Sequence, residues 1–127
     1  MPVLQEKAAS TRSRGNAAED QALAHLQAQG LRLLVRNYRT PGRRSAEIDL
    51  ILRDAAGTVV FVEVRSRQRH AAGGVAASIN WHKRQRIRRA AQHYLLGWRQ
   101  LPPVRFDVVL IEQGQLRWLV GAFDAEG

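Results

Sequence analysis

Two acidic residues in neighbouring apolar segments have the spacing of a metal-binding pair. Asp49 lies within AEIDLILRD (46–54) and Glu63 within TVVFVEVRS (58–66). The residues between these segments, 55–57, are Ala-Ala-Gly, which predicts a β-hairpin with a three-residue loop. In that register the two acids face each other across the strands, where like charges destabilise a sheet. A divalent cation between them would reverse this repulsion, and a proton shared by the two carboxyl groups, with one pKa raised, would also relieve it.

The hairpin register also predicts where the neighbouring side chains lie. Glu47 is expected opposite Arg65, on the same face as Asp49 and Glu63, because side chains alternate along a strand. The residues expected on the other face are Ile48, Leu50, Val62 and Val64. Arg65 follows Glu63 by two residues, so it could bind a phosphate or stabilise negative charge in a transition state. Oxygen ligands beside a cation are what metal-assisted phosphodiester hydrolysis requires.

A third acid lies on a predicted helix. Residues 16–29 are rich in helix formers and are followed by Gly30, a common stop signal. Glu19 projects from the apolar stripe of this helix, which consists of Ala22, Leu23 and Leu26. Two interpretations remain open. Either a cation meets the Glu19 carboxylate in the core, or Glu19 lies half-exposed in the first turn, where the helix dipole favours an acid.

A second predicted helix is basic. It begins near Asn80, which is suited to capping, and ends near Gly97. Its apolar stripe consists of Ile87, Ala90, Ala91 and Tyr94, and Lys83 is expected to join that stripe four residues before Ile87. The residues expected on its more exposed faces are Arg84, Arg88 and Arg89.

The basic residues are clustered along the chain. The 127 residues carry a net charge of +9, and the stretch between Glu63 and Asp107 holds ten of the 20 basic residues and no acid. Such a block favours binding to a phosphate backbone, although an arginine-rich composition alone would also produce it. The predicted nucleic-acid contacts are Arg67, Arg69, Arg84, Arg86, Arg88 and Arg89.

The remaining segments complete the predicted organisation. Strands are predicted at residues 31–35, 46–54, 58–66, 104–112 and 115–123, the last two forming a second hairpin around Gln113-Gly114. Residues 37–45 are expected to be irregular and 67–80 to form a mobile loop. Asp107 is expected to pair with a neighbouring arginine. We expect residues 1–14 to be a flexible basic arm and residues 15–127 to form one domain.

The composition excludes several classes of protein. The chain has no cysteine, which excludes disulfides and thiolate chemistry and favours a reducing cytoplasm. No apolar run reaches the roughly 18 residues of a membrane span, so no membrane association is expected. The four histidines show no metal-site spacing, and no glycine-rich phosphate loop or nucleophile elbow is present.

Several short motifs together carry a resemblance to a known family. They are Gly15-x-x-x-Glu19, Asn37-Tyr38-Arg39, Glu47-Ile48-Asp49-Leu50-Ile51, Phe61-Val62-Glu63-Val64-Arg65, Lys83 ahead of Arg89-Ala90-Ala91, and Arg105-Phe106-Asp107-Val108-Val109. By their order and spacing, over about residues 13–112, the chain resembles the YraN-like family of small bacterial proteins. That family is placed in the restriction-endonuclease-like superfamily, which has a PD-(D/E)xK-type site.

The resemblance implies a fold and a site. It implies an α/β, restriction-endonuclease-like core with a mixed central sheet of about five strands flanked by helices, similar to archaeal Holliday-junction resolvases. Mg²⁺ (or Mn²⁺) would be held by Asp49 and Glu63, with Glu19 as an auxiliary acid. The sequence departs from the motif at Arg65, where the superfamily has lysine. A guanidinium stays charged and cannot act as a general base, so metal-activated water or Lys83 would have to supply that function.

Three hypotheses follow for the function. The first is a metal-dependent endonuclease-like protein acting on DNA, on branched or damaged structures, with a catalytic set consisting of Asp49, Glu63, Arg65, Glu19 and Lys83. The second is a nucleic-acid-binding protein of the same fold in which Arg65 has impaired catalysis. The third and weakest is a scaffold whose basic residues bind an acidic protein. A homodimer is compatible with resolvase-like action on a two-fold substrate.

Overall fold

Two helices and five strands make up the described part of the chain. The computed structural model describes the backbone of residues 11–67 and 79–125, with side chains from residue 17 onward. The elements in chain order are α1 (Thr11–Ala28), β1 (Arg32–Arg39), β2 (Glu47–Arg53), β3 (Val59–Arg67), α2 (Trp81–Leu95), β4 (Val104–Glu112) and β5 (Gln115–Phe123).

The strands form one mixed sheet in the order β1-β2-β3-β4-β5. Strands β3 and β4 are parallel, and each of the other neighbouring pairs is antiparallel. A parallel pair needs a crossover connection, and the segment that contains α2 provides it. The predicted α/β architecture, a mixed sheet of five strands flanked by helices, is therefore confirmed.

Each helix covers one face of this sheet. On one face α1 buries Ala18, Ala22 and Leu26. They share a core cluster with Leu50, Leu52, Val60, Val62, Val109 and Ile111. On the other face α2 buries Ile87, Ala90 and Ala91, which pack with Ile48, Ile51, Val59, Phe61 and Phe106. Because both faces are covered, residues 59–62 of β3 are buried without interruption.

The β2–β3 hairpin has the predicted loop and register. Leu50 lies opposite Val62 and Arg53 opposite Val59, as a three-residue loop requires. Gly57 closes the loop with a φ of +94°, in the left-handed region where a side chain is disfavoured. The Asp54 carboxylate stabilises the turn, because its Oδ1 accepts hydrogen bonds from the backbone N–H groups of Ala56 and Thr58.

Strand β1 continues beyond its predicted end at residue 35. Asn37 introduces a bend there, but the pairing of β1 with β2 continues to Arg39. Asn37 has a φ of +57°, a left-handed conformation that asparagine tolerates. Tyr38 still lies opposite Ile48, and Arg39 opposite Glu47. The prediction of irregular structure from residue 37 onward is therefore wrong for residues 37–39.

The start of β2 follows this bend. Ile48 packs in the α2-side cluster, whereas Leu50 packs in the α1-side cluster. The expectation that Ile48 and Leu50 share one face is therefore wrong, because strict alternation does not hold past the bend. Glu47, expected opposite Arg65, lies instead beside Arg39, with 3.4 Å between Oε2 and the guanidinium Nη2.

The predicted ends of α2 lie within two residues of the observed ones, whereas the predicted start of α1 is five residues too late. Helix α1 begins at Thr11 instead of residue 16, so residues 11–14 of the predicted arm are helical. Gly15 lies inside the helix, and a single glycine costs only about 1 kcal/mol there, too little to end it. Residues 1–10 of the arm and 68–78 of the predicted loop, including Arg69, lie outside the described residues. No helix in the described ranges is long and apolar enough to cross a membrane.

Asp107 fixes the second hairpin, which forms as predicted around Gln113-Gly114. Its buried carboxylate accepts hydrogen bonds from Arg105 Nε at 2.9 Å, Arg105 Nη2 at 3.0 Å and Trp118 Nε1 at 2.9 Å. The backbone N–H of Gly121 donates to it as well, at 2.9 Å. The expectation that Asp107 pairs with a neighbouring arginine is confirmed.

We expect Asp107→Asn to lower the free energy of unfolding by about 3 kcal/mol, because Arg105 loses its buried counter-charge and keeps only the 3.5 Å contact with Asp54. Urea denaturation monitored by circular dichroism measures the change. Asp20→Asn is the matched control, since it removes the same charge from an exposed ion pair with Arg36 and should cost below about 1 kcal/mol. Equal losses in the two variants would contradict the structural role of Asp107.

Candidate metal and nucleic-acid site

The acid pair, Asp49 and Glu63, lies where the β2–β3 ladder ends. The last paired residues are Leu50 and Val62, and Asp49 and Glu63 are next on each strand. Asp49 Oδ2 accepts a hydrogen bond of 2.8 Å from the backbone N–H of Val64. The Glu63 carboxyl group lies close enough for its charge to raise the pKa of Asp49. The juxtaposition predicted from the loop length is therefore confirmed.

Burial raises the pKa of Asp49, one member of the acid pair. The Glu63 side chain is only 7% exposed. Burial first, and then the Glu63 charge, raises the pKa of Asp49 from 3.8 to about 7, against the opposing effects of the Val64 N–H and of Lys83. The Asp49 carboxyl therefore takes up a proton as the pH falls below about 7, which corresponds to the raised pKa that the sequence left open beside a bound cation.

Two cations contact the same oxygen of Glu63. Arg65 Nε lies 3.3 Å from Glu63 Oε2, and Lys83 Nζ lies 3.6 Å from it. The Arg65 Nε is buried and has no hydrogen-bond partner, so its contact with Glu63 is Coulombic and not a well-directed hydrogen bond. Asn80 positions Lys83, because its side chain caps α2 by accepting from the Lys83 backbone N–H at 2.9 Å.

Glu19 faces the core and meets a cation there. Arg36 Nε donates to Glu19 Oε1 at 3.2 Å, and the Asn37 side-chain nitrogen, in the orientation that satisfies its hydrogen bonds, lies 3.2 and 3.3 Å from the two oxygens. Burial, followed by the charge of Asp49, raises the pKa of Glu19. Since α1 begins at Thr11, Glu19 lies in its third turn; the first-turn interpretation is wrong and the buried ion-pair interpretation is confirmed.

The acid pair fits a hard divalent cation, although the site has few protein ligands. Within residues 11–67 and 79–125, no three or more His, Asp or Glu side chains converge closely enough to hold a metal ion. Mg²⁺ commonly binds through one or two carboxylates and keeps several waters, so Asp49 and Glu63 suffice as a donor set. When a divalent cation binds to such a buried pair, it takes the place of the proton, which is released to solvent.

The predicted nucleic-acid contacts differ in their availability. Arg86 and Arg89 are exposed on α2. Arg67 ends β3 and pairs with Glu112 at 3.7 Å, and Arg84 donates to the Ile79 carbonyl at 3.0 Å. Arg67 and Arg84 therefore have partners that the sequence spacing did not indicate, an acid on β4 for Arg67 and a backbone carbonyl for Arg84.

The predicted exposure of Arg88 is wrong. It was expected on an exposed face of α2, but it is buried, with 7% of its surface accessible. Its Nε donates to the Asp124 carbonyl at 2.8 Å, and its guanidinium lies 5.3 Å from the Phe123 ring centroid. Arg88 therefore points from α2 toward the end of β5. Its guanidinium packs between these two elements and is not exposed to a phosphate backbone.

Sequence reasoning missed Arg36 and Asn37 as residues of the site. Arg36 gave no signal, because its partner Glu19 lies 17 residues away on another element. Asn37 did give one, since asparagine is enriched among non-glycine residues with positive φ. These two residues connect the acid on α1 to the sheet beside Asp49.

The pKa of Asp49 predicts a specific pH dependence of stability. The folded chain binds more protons than the unfolded chain between pH 3.8 and about 7, so Asp49 lowers stability progressively as pH rises through that window. At about 1.4 kcal/mol per pKa unit the shift corresponds to a cost of at most about 4 kcal/mol, and solvent screening at the incompletely buried site reduces it to about 2 kcal/mol. Asp49→Asn, which cannot ionise, should therefore be about 2 kcal/mol more stable than wild type at pH 8 and nearly equal at pH 4.

Denaturant titrations of both proteins at these pH values measure the difference. Glu47→Gln, at an acid with 41% side-chain exposure on the same strand, is the matched control and should show no such pH-dependent gain. A constant difference between Asp49→Asn and wild type at pH 4 and 8 would contradict the raised pKa.

Sequence comparisons place these residues within a family. A model described as "Uncharacterised protein family UPF0102" matches residues 18–111, a range that contains Glu19, Asp49, Glu63 and Lys83. A UPF0102 protein of Paracidovorax citrulli (strain AAC00-1) is 59% identical over an alignment of 134 residues, covering 98% of this chain and 99% of that protein. One from Acidovorax sp. (strain JS42) is 63% identical, covering 93% and 89% respectively. The chain belongs to the UPF0102 family.

Proposed function

We propose that this chain is a metal-dependent endonuclease-like protein that acts on DNA, with Asp49 and Glu63 binding Mg²⁺ or Mn²⁺. One observation carries the proposal: a buried pair of acids at the end of a hairpin, with two cations against the carboxylate of Glu63. A pair of like charges in the core costs stability in the free protein, and a bound divalent cation offsets that cost.

The residues around the acid pair have different roles in phosphodiester hydrolysis. When bound, a divalent cation supplies Lewis-acid stabilisation of the negative charge that develops on phosphate. Arg65 keeps its charge and binds a phosphate oxygen. Of the two cations on Glu63 Oε2, only Lys83 can release a proton, so Lys83 is the candidate general base. Glu19 is a positioning residue, since it holds Arg36 and Asn37 beside the start of β2.

Helix α2 supports DNA as the partner. It carries Lys83 at the acid pair and Arg86 and Arg89 on its exposed surface. Exposed arginines on the helix that reaches the metal ligands would bind the backbone of a strand whose phosphate enters the site. The net charge of +9 supports the same class of partner. The resolvase resemblance favours branched or damaged DNA and a homodimer.

We expect Asp49→Asn to reduce metal-dependent cleavage by about 100-fold or more, because the site loses an anionic ligand. The assay uses Mg²⁺ or Mn²⁺ with four-way junction, flap, duplex and single-stranded DNA, and electrophoretic mobility shifts measure binding in parallel. DNA affinity should change by less than about three-fold, since the phosphate contacts remain. Glu47→Gln should cleave like wild type. Equal cleavage by wild type and Asp49→Asn would remove the proposed site.

The second candidate, a DNA-binding protein with impaired catalysis, is favoured by Arg65. Its guanidinium contacts Glu63 and cannot release a proton, whereas lysine at this position could. We expect Arg65→Lys to raise the cleavage rate about ten-fold, with Arg117→Lys on exposed β5 as the matched control. If wild type binds DNA without cutting it and only Arg65→Lys cuts, the second candidate is correct. An unchanged or lower rate in Arg65→Lys would instead assign Arg65 a productive role as phosphate ligand.

A further inference from the structure

A cleft lies at the far end of the sheet from the acid pair. It has a volume of about 710 Å³ and is lined by Arg53, Gly97, Trp98, Arg99 and Gln100. We refer to it as the arginine–tryptophan cleft. Arg53 ends β2, four residues beyond Asp49, which corresponds to about 13 Å along an extended strand. Trp98 follows the end of α2, whereas Lys83 lies near its start. The cleft is therefore separate from the candidate metal site.

The wall of the cleft is formed by a guanidinium that makes a cation–π contact with an indole ring. Arg53 Cζ lies 5.1 Å from the centroid of the Trp98 ring. Arg53 Nε donates to the Gly57 carbonyl at 3.2 Å, which fixes the side chain to the hairpin turn. Trp98 is held from another side by an edge contact with Tyr94, at 6.2 Å between ring centroids. This flat surface is therefore fixed in place by the protein's own contacts.

The positive charge of the cleft is not neutralised by its own residues. Its lining contains two arginines and no acid. Asp54, which is adjacent to Arg53, is already engaged, because Oδ1 accepts from the turn amides and Oδ2 lies 3.5 Å from Arg105. Arg99 is exposed, and among the described residues it has no ion pair. The cleft therefore combines a flat stacking surface with two cationic groups.

We propose that the arginine–tryptophan cleft binds a nucleotide unit: a nucleobase that stacks against the Arg53–Trp98 pair and a phosphate that pairs with Arg99. Guanidinium and indole planes are the surfaces on which unstacked bases lie in nucleic-acid complexes. Arginine also binds phosphate through two parallel hydrogen bonds. The ligand is either a free mononucleotide or a nucleotide of a single strand, since both present the same chemistry.

Isothermal titration of the full chain, without divalent cation, tests this assignment. The probes are deoxyadenosine monophosphate, deoxyadenosine, inorganic phosphate and a short deoxyadenosine oligonucleotide. Wild type should bind the monophosphate at least ten-fold more tightly than either deoxyadenosine or phosphate, because only the whole nucleotide uses both groups. Arg99→Ala should weaken this binding about ten-fold, and Trp98→Leu by a similar factor.

The controls separate this site from the metal site and from net charge. Arg117→Ala removes one exposed arginine outside the cleft and should leave binding of the monophosphate unchanged. Asp49→Asn should also leave it unchanged, so that failure of the proposed nuclease activity and failure of the cleft are distinguishable. Trp98→Phe keeps an aromatic ring and should retain binding within about three-fold, which guards against loss of folding in Trp98→Leu.

Each outcome decides the proposal. Binding of the monophosphate that is lost in Arg99→Ala and in Trp98→Leu supports it, and assigns a free nucleotide if the oligonucleotide does not bind. Binding of the oligonucleotide alone, with the same losses, supports it with a strand as the source. Equal affinity for inorganic phosphate and the monophosphate, no binding of any probe, or wild-type affinity in Arg99→Ala would overturn it.

Discussion

The repulsion between Asp49 and Glu63 is the constraint around which the rest of the structure is arranged. Two carboxylates that face each other in a water-poor environment cannot both stay ionised unless something positive lies between or beside them. In the structure the pKa of Asp49 is raised, the Val64 N–H donates to Asp49, and Arg65 and Lys83 contact Glu63. Val64 and Arg65 lie on β3 and Lys83 lies on α2, so the site requires both the β2–β3 hairpin and α2 to be in place.

This arrangement arises because the paired part of the β2–β3 hairpin ends at the two acids and α2 begins close to Glu63. The ladder between β2 and β3 stops one pair before Asp49, which frees the Val64 N–H to bind a side chain instead of the opposite strand. Helix α2 starts at a cap residue whose hydrogen bond fixes the backbone of Lys83. The charge pattern of the site is thus a consequence of where regular backbone pairing starts and stops.

The sequence predicted what depends on local geometry and missed what depends on distant partners. The length of the loop was enough to predict the β2–β3 register, because Gly57 adopts the left-handed conformation that ends a three-residue hairpin loop. The burial of Arg88 could not be predicted, since it depends on where the end of β5 lies relative to α2. The face of Ile48 was missed for a related reason: a single left-handed residue, Asn37, lies on the neighbouring strand, and its effect reaches β2 only through pairing.

Strand order in the sheet follows chain order, and this has a consequence for how the protein is made. Strand β2 pairs with β1 and β3 pairs with β2, so α1 and β1–β3 can associate before α2 and β4 leave the ribosome. Asp49, Glu63 and Arg65 then come together within the first 67 residues, ahead of Lys83. Until α2 has been synthesised, Arg65 is the only one of the two cations on Glu63 that the growing chain contains, so α2 adds the second counter-charge after the hairpin is complete.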